Sequence, residues 1–269
     1  MTWASKLRKE LAQRARDFAD GEGVTAYESL GASPTILFPA DSDTTRHGNF
    51  IHDSYQAILS DRKWAERLRK VHSQLRALPE DRRAKAKELD SCHSSDALLM
   101  NCFCYPSAAS QIFERLLPRL PIGHPEFGVA GNVPLGDGKA DTTELDMRAG
   151  KVVFESKLTE VDFTERPRAH VERYRDLREV FDVVILPQTP VAYRGYQLIR
   201  NVLAAAAHDY YFVLLCDARR PDLLHEWWQV HAAIRQAELR SRCGFLLWQE
   251  VAAASPAPLQ EFLCTKYGL

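Results

Sequence analysis

Residues 142–157 read TTELDMRAGKVVFESK, and the fold of the chain turns on them. Val152-Val153-Phe154 is a β-branched and aromatic run that leads directly into Glu155-Ser156-Lys157. Ala149-Gly150 just before it offers a two-residue turn, so the stretch predicts a β-hairpin closed by residues 148 and 151. Strand side chains alternate with period two. In that register Asp146 stands opposite Val153 and diagonal to Glu155, while Glu144 falls opposite Glu155. Lys157 shares the same face.

Three carboxylates facing one another across strands repel, and an idle sheet surface has no reason to collect them. A divalent cation resolves the repulsion. Mg²⁺ takes hard oxygen ligands, commonly one or two carboxylates completed by water and substrate phosphate. A lysine beside it is a compact charge that can orient a water or meet charge developing on a phosphorane. Alternating Glu and Lys also occurs on ordinary solvated hairpins. What favours chemistry here is the parity of Asp146 together with the apolar strand that precedes Glu155.

Asp146 followed by Glu155-Ser156-Lys157 at the end of the next strand resembles the PD-(D/E)XK superfamily of restriction-endonuclease-like nucleases. The resemblance covers roughly residues 90–269. It is nearest to a group of bacterial endonuclease-like proteins similar in Ser94-Ser95-Asp96-Ala97-Leu98-Leu99-Met100-Asn101, in Tyr196-Gln197-Leu198-Ile199-Arg200-Asn201 and in the closing Lys266-Tyr267-Gly268-Leu269. One departure is Leu145 where the superfamily name has proline.

The resemblance implies a nuclease that hydrolyses phosphodiester bonds, in DNA by preference, with Mg²⁺ as cofactor and Mn²⁺ as its substitute. Asp146, Glu155 and the Ser156 backbone carbonyl would hold the metal, with Glu144 and Asp96 as reserve ligands. Lys157 would be catalytic. A polar residue such as Gln197 would position the lysine or the scissile phosphate, and Arg200 shares its helix face. Many related nucleases dimerise, so a homodimer is the matching expectation.

The 269-residue chain, 45% hydrophobic, is long enough for a substantial core and reads as a soluble globular protein. No apolar run approaches the ~20 residues of a membrane span, and residues 1–18 form a charged amphipathic helix without a secretory apolar core. The default location is cytoplasmic. The six cysteines, at positions 92, 102, 104, 216, 243 and 264, lack zinc spacing and read as reduced, structural residues.

A net charge of −1 carries no global signature of nucleic-acid binding. Basic residues cluster locally instead. One cluster occupies residues 62–87, and a second comprises Arg166, Arg168, His170, Arg173, Arg175 and Arg178. Phosphate contact at Arg166, Arg168, Arg173 and Arg200 is one reading; a solvated face of mixed charge is the other.

Residues 1–90 predict a mainly helical extension, with helical spacing over 5–18 and at Trp64, Leu68, Val71 and Leu75 and a turn-rich loop over 31–50. Residues 91–269 predict the nuclease-like core. It would begin with a buried helix over 94–116 capped by Ser94 or Ser95 and kinked at Pro106. Asp96 there is either a metal-site acid or a first-turn acid that favours the helix dipole.

An irregular strand near 127–130 precedes the hairpin. An Arg-rich helix over 168–180, the apolar stretch 183–186, a helix over 196–208, a strand over 210–216, a helix over 222–239, a strand over 244–249 and a short closing helix follow. That order is an α/β fold, a mixed sheet between helices.

No HExxH, P-loop, nucleophile elbow or dinucleotide fingerprint is present. The rival to a nuclease is a nucleic-acid-binding or assembly protein that keeps the fold without cleaving.

Overall fold

The computed structural model describes residues 2–29, 34–40, 45–71 and 87–269. The chain forms two compact units, residues 1–118 with 248–269, and residues 119–247.

The first unit is mainly helical. Helix Trp3–Glu22 starts at Thr2, whose side chain accepts from the Ser5 N–H, and ends at Gly23 in the left-handed region. Its buried stripe of Leu7, Leu11, Ala12, Ala15 and Ala19 follows helical spacing. Strands β1 (Tyr27–Glu28) and β2 (Ile36–Leu37) pair antiparallel. Helices His52–Ser60, Arg62–Arg67, Ser95–Cys104, Ala108–Leu116, Trp248–Ala254 and Ala257–Tyr267 complete it. Of the helix expected through Leu75 and the basic cluster expected over 62–87, residues 72–86 lie outside the described residues.

Ser94 caps helix Ser95–Cys104 through the Ala97 N–H, and every residue from Asp96 to Cys104 is buried. The single kinked helix expected over 94–116 is two helices. Pro106 cannot continue the hydrogen-bond ladder, and Ser107 takes φ +64° before the second helix starts. The five buried cysteines and the exposed Cys264 are all free thiols.

The second unit is built on a five-stranded mixed sheet. Its strands are β3 (Pro125–Ala130), β6 (Glu144–Ala149), β7 (Val152–Ser156), β10 (Tyr211–Cys216) and β11 (Cys243–Leu247), in the order β11-β10-β7-β6-β3. β10 runs parallel to β7 and β11; β6 runs antiparallel to β7 and β3. This mixed α/β arrangement is consistent with the expected restriction-endonuclease-like fold. Helix Tyr196–His208 sets Leu198, Val202 and Ala205 into a core shared with Val153, Phe212, Leu214 and Trp227.

The hairpin is offset from its expected register. Ala149 pairs with Val152 and Met147 with Phe154, so the loop is Gly150-Lys151 rather than Ala149-Gly150. Gly150 has φ +62°, and a Cβ there would lie 2.6 Å from the Pro121 carbonyl oxygen. The turn forms where only glycine fits. The offset is two residues, so face parity survives: Asp146 still shares a side with Val153, Glu155 and Lys157.

Around the sheet, β4 (Val133–Pro134) pairs with β5 (Ala140–Asp141), and β8 (Arg166–Pro167) with β9 (Ala192–Tyr193). The Arg-rich helix expected over 168–180 is two short ones, Arg168–Val171 and Leu177–Val180. Between them the chain bonds elsewhere, Tyr174 bridging to Leu135 and the Arg175 N–H donating to Pro134 O.

The helix expected over 222–239 likewise divides into Pro221–Ala232 and Ala237–Ser241, because Ile234 bridges to Phe181. The stretch 183–186 is a turn with Val184 and Ile185 exposed and Leu186 buried. The strand expected over 244–249 ends at Leu247, and Trp248 begins a helix.

Candidate active site

The ladder between β6 and β7 stops at Met147 and Phe154. Beyond it the Asp146 carboxylate replaces the missing strand partner, its Oδ2 accepting the Ser156 N–H at 2.7 Å. On the other side the Lys157 N–H donates to Leu215 O of β10 at 2.8 Å. Asp146 and the Glu155-Ser156-Lys157 segment are thus tied together where the hairpin strands part.

Glu155 is 1% exposed and Lys157 5% exposed, burial that two charged groups tolerate only in company. Lys157 Nζ lies 2.7 Å from Glu155 Oε1, and Asn201 Nδ2 donates to Glu155 Oε2 at 2.6 Å. Oε1 itself is buried without a well-angled hydrogen bond. Burial pushes the Lys157 pKa down, but the charges of Glu155, Glu160 and Asp146 outweigh it and hold the ammonium above its ordinary value. The ring of Phe163 lies 5.7 Å from Nζ.

These donors suit a small hard cation. Two carboxylates and a backbone carbonyl are a ligand type that Mg²⁺ accepts, and Glu155 Oε1 has the Lys157 ammonium as a charged neighbour at 2.7 Å. Among the described residues no group of three or more His, Cys, Asp or Glu side chains is arranged to hold a metal.

A cleft of roughly 500 Å³ is lined by residues that include Gln197, Arg200, Arg166, Arg173, Tyr196 and Asp141 but not Asp146, Glu155 or Lys157. The structure thus gathers four of the residues singled out in the sequence around one opening. Arg166 and Arg173 are exposed; Arg200 is buried. The Arg200 guanidinium donates to Glu144 O at 3.1 Å and to Asn201 Oδ1 at 3.0 Å. Since Asn201 holds Glu155, a hydrogen-bonded chain runs from the cleft to the acid.

Asp141 anchors the cleft floor. Its Oδ1 accepts the Thr143 N–H at 2.8 Å and also the Thr143 hydroxyl. Its Oδ2 accepts the Tyr174 hydroxyl at 2.5 Å and the Tyr196 hydroxyl at 3.3 Å. Burial would raise its pKa, but the hydrogen bonds from Thr143 and Tyr174 and the charge of Arg200 hold it below the usual carboxylate range. Burial and the bond to Asp141 raise the Tyr174 phenol. His170 Nε2 lies 3.2 Å from the Tyr196 hydroxyl.

Arg168, Glu144 and Asp96 are not among the residues that line this cleft. Arg168 stacks over Tyr193 at 4.9 Å and donates to Gln188, Glu172 and the Tyr193 hydroxyl, so its guanidinium is held by its neighbours in the second unit. Glu144 is exposed and pairs through its backbone with Ala130 of β3. Asp96 belongs to the first unit, where Arg67 and Lys70 hold it at 2.7 and 3.2 Å. Its described partners are those of a first-turn acid with basic neighbours.

Asp141 carries weight that its sequence context did not signal, and Asn201, which stands out in the sequence beside Gln197 and Arg200, has a partner that the sequence did not name. Asn201 stands next to Arg200 in a helix already of interest, but a contact across 46 positions to Glu155 has no local sequence trace. Arg220 is also fully buried. It donates to the carbonyls of Leu158, Glu160 and Val161 and so clamps the loop after Lys157.

No curated protein and no solved structure matches the chain. A family model does: the one described as Restriction Endonuclease associating with ARP, REase-ARP, matches residues 9–268. Nearly the whole length is covered, and the chain belongs to this restriction endonuclease family.

Proposed function

We propose that the protein is a Mg²⁺-dependent nuclease of the PD-(D/E)XK type that hydrolyses phosphodiester bonds in DNA. The observation that supports this most is the Lys157 ammonium held 2.7 Å from a buried Glu155, with Asp146 bonded to the residue between them. Asp146, Glu155 and the Ser156 carbonyl would hold the metal. When bound, Mg²⁺ polarises the phosphate and lowers the pKa of a water.

The protein's own part is positional and electrostatic. Asn201 fixes one oxygen of Glu155, leaving the other turned to the ammonium. Lys157 orients the attacking water and faces the negative charge that develops on the phosphorane oxygens. Arg166 and Arg173 receive neighbouring phosphates at the rim of the cleft.

A binding protein that merely keeps the fold has no need for a buried ion pair at the point where the strands part, since burying two charges costs more than an apolar pair of similar shape. Incubating the protein with supercoiled plasmid, linear duplex, single-stranded DNA and RNA, in Mg²⁺ or in EDTA, tests the proposal. It predicts Mg²⁺-dependent products that Asp146→Asn abolishes. Metal-independent binding with no cleavage of any substrate would replace it with the binding-protein reading.

A further inference from the structure

The cleft has a floor, a polar rim and limited capacity, and these features bear on what part of a nucleic acid enters it. Asp141, Tyr174 and Tyr196 close its base, and the Asp141 oxygens are occupied by Thr143 and the two phenols. The floor is therefore a fixed platform rather than a spare acceptor. Leu135 and His170 add apolar and aromatic wall.

At the rim, Arg166 and Arg173 are exposed and form no ion pair among the described residues. Arg166 rests over the Tyr196 ring at 5.5 Å, as a cation does on an aromatic face. Two exposed guanidiniums on one lining, with the imidazole of His170 on the same lining, match a phosphate with its attached base. The roughly 500 Å³ volume lies in the range of a small-molecule site and is far too small for a double helix about 20 Å across.

We propose that this cleft takes one unpaired nucleotide of the substrate strand, its phosphate on Arg166 and Arg173 and its base against His170. The proposal rests on the nuclease reading and narrows it to substrates with a single-stranded or extruded nucleotide beside the scissile bond. Because Arg200 lines the cleft and also donates to Asn201, an occupied cleft touches Arg200, which is itself bonded to the residue that holds Glu155. Arg200 thereby acts as a positioning residue.

The test is equilibrium binding in EDTA, so that no cleavage occurs, using full-length Lys157→Ala protein. The probes are a fluorescein-labelled 16-nucleotide thymidine oligomer, a blunt hairpin duplex and the same duplex carrying a single-nucleotide gap. The single strand and the gapped duplex should bind about tenfold or more tighter than the blunt duplex, and adding Arg173→Ala or His170→Ala should remove most of that preference. Both added changes are at solvent-accessible side chains, and matching thermal melts would show that the fold is kept.

Equal or tighter binding of the blunt duplex would overturn the proposal. So would a single-strand preference that neither change diminishes. Binding with the expected preference, but no metal-dependent cleavage by the unmodified protein, would sink the nuclease reading and leave the cleft assignment standing.

Discussion

Lys157 is buried but fully charged, because Glu155, Glu160 and Asp146 surround it with negative charge. The sign of the shift determines its pH behaviour. A raised lysine pKa stabilises the fold at pH values below the unfolded-state value, and this is lost only as pH rises through the folded value. Between pH 6 and 9 the ammonium of the metal-free protein therefore stays on, and thermal melts in EDTA over that window should show no loss of stability from this residue. A fall in melting temperature with rising pH that vanished in Lys157→Arg would show the opposite.

Asn201 is the next residue to probe. Asn201→Ala leaves Glu155 Oε2 buried without its donor, which costs ~1–3 kcal/mol and should lower cleavage together with thermal stability. Asn201→Asp should be worse than alanine, since it sets a second carboxylate against Glu155. Chemical denaturation of the three proteins ranks them, and an aspartate variant as stable as wild type would remove Asn201 from the account.

Lys266 presents a different case. It is buried with Nζ donating to Gly48 O at 2.5 Å and lying 3.9 Å from the Phe38 ring centre, with Phe18 and Phe262 also near. Burial pushes its pKa far down. Lys266→Met keeps the shape and removes the desolvation cost, so the melting temperature should hold or rise. A clear fall would mean that the cation and its aromatic cage contribute net stability.

At the scale of elements, the hairpin turn and the Glu226 junction carry the testable strain. Gly150→Val puts a Cβ against the Pro121 carbonyl at a positive φ and should destabilise by ~1–3 kcal/mol. Glu226 has its pKa raised to about 7, by burial first and Asp162 second, while the backbone N–H groups of Phe163 and Gly195 hold it down in part. The folded protein keeps that proton between pH 4.5 and 7 while the unfolded chain releases it. Stability therefore falls as pH rises through this window. Melting temperatures of wild type and Glu226→Gln should diverge across it; parallel curves would show that Glu226 does not titrate there.

The same scale shows what was legible in the sequence. The hairpin, helix Tyr196–His208 and strand β10 follow from apolar runs and turn chemistry. The register was off by two because a glycine turn fits either Ala149-Gly150 or Gly150-Lys151 locally, and the contact with Pro121 that decides it is not local. Parity held because a shift of two returns every side chain to its own face.

Pro106 marks the break at 105–107 in the sequence itself, but those at 172–176 and at 233–236 were illegible for a related reason. The backbone there is drawn into bridges or turns with distant segments, which local helical periodicity cannot reveal. The acid, acid and lysine pattern was readable from spacing; the Asp141, Tyr174 and Tyr196 floor was not, since its members lie 22 to 55 positions apart.

For the molecule as a whole, membership of a restriction endonuclease family joins a mixed sheet whose diverging hairpin presents the acids and lysine. No helix among the described residues is long and apolar enough to cross a membrane. With a net charge of only −1, affinity for nucleic acid must come from local arginines, so binding should weaken steeply with salt and the slope should fall by about one per phosphate contact removed. Arg173→Ala is the variant in which to measure that change of slope.

The most direct measurement is the single-turnover cleavage rate of wild type and Lys157→Ala on the best-cut substrate at saturating Mg²⁺. The account predicts a loss of about a hundredfold or more with substrate binding retained. Cleavage by Lys157→Ala at close to the wild-type rate would contradict it.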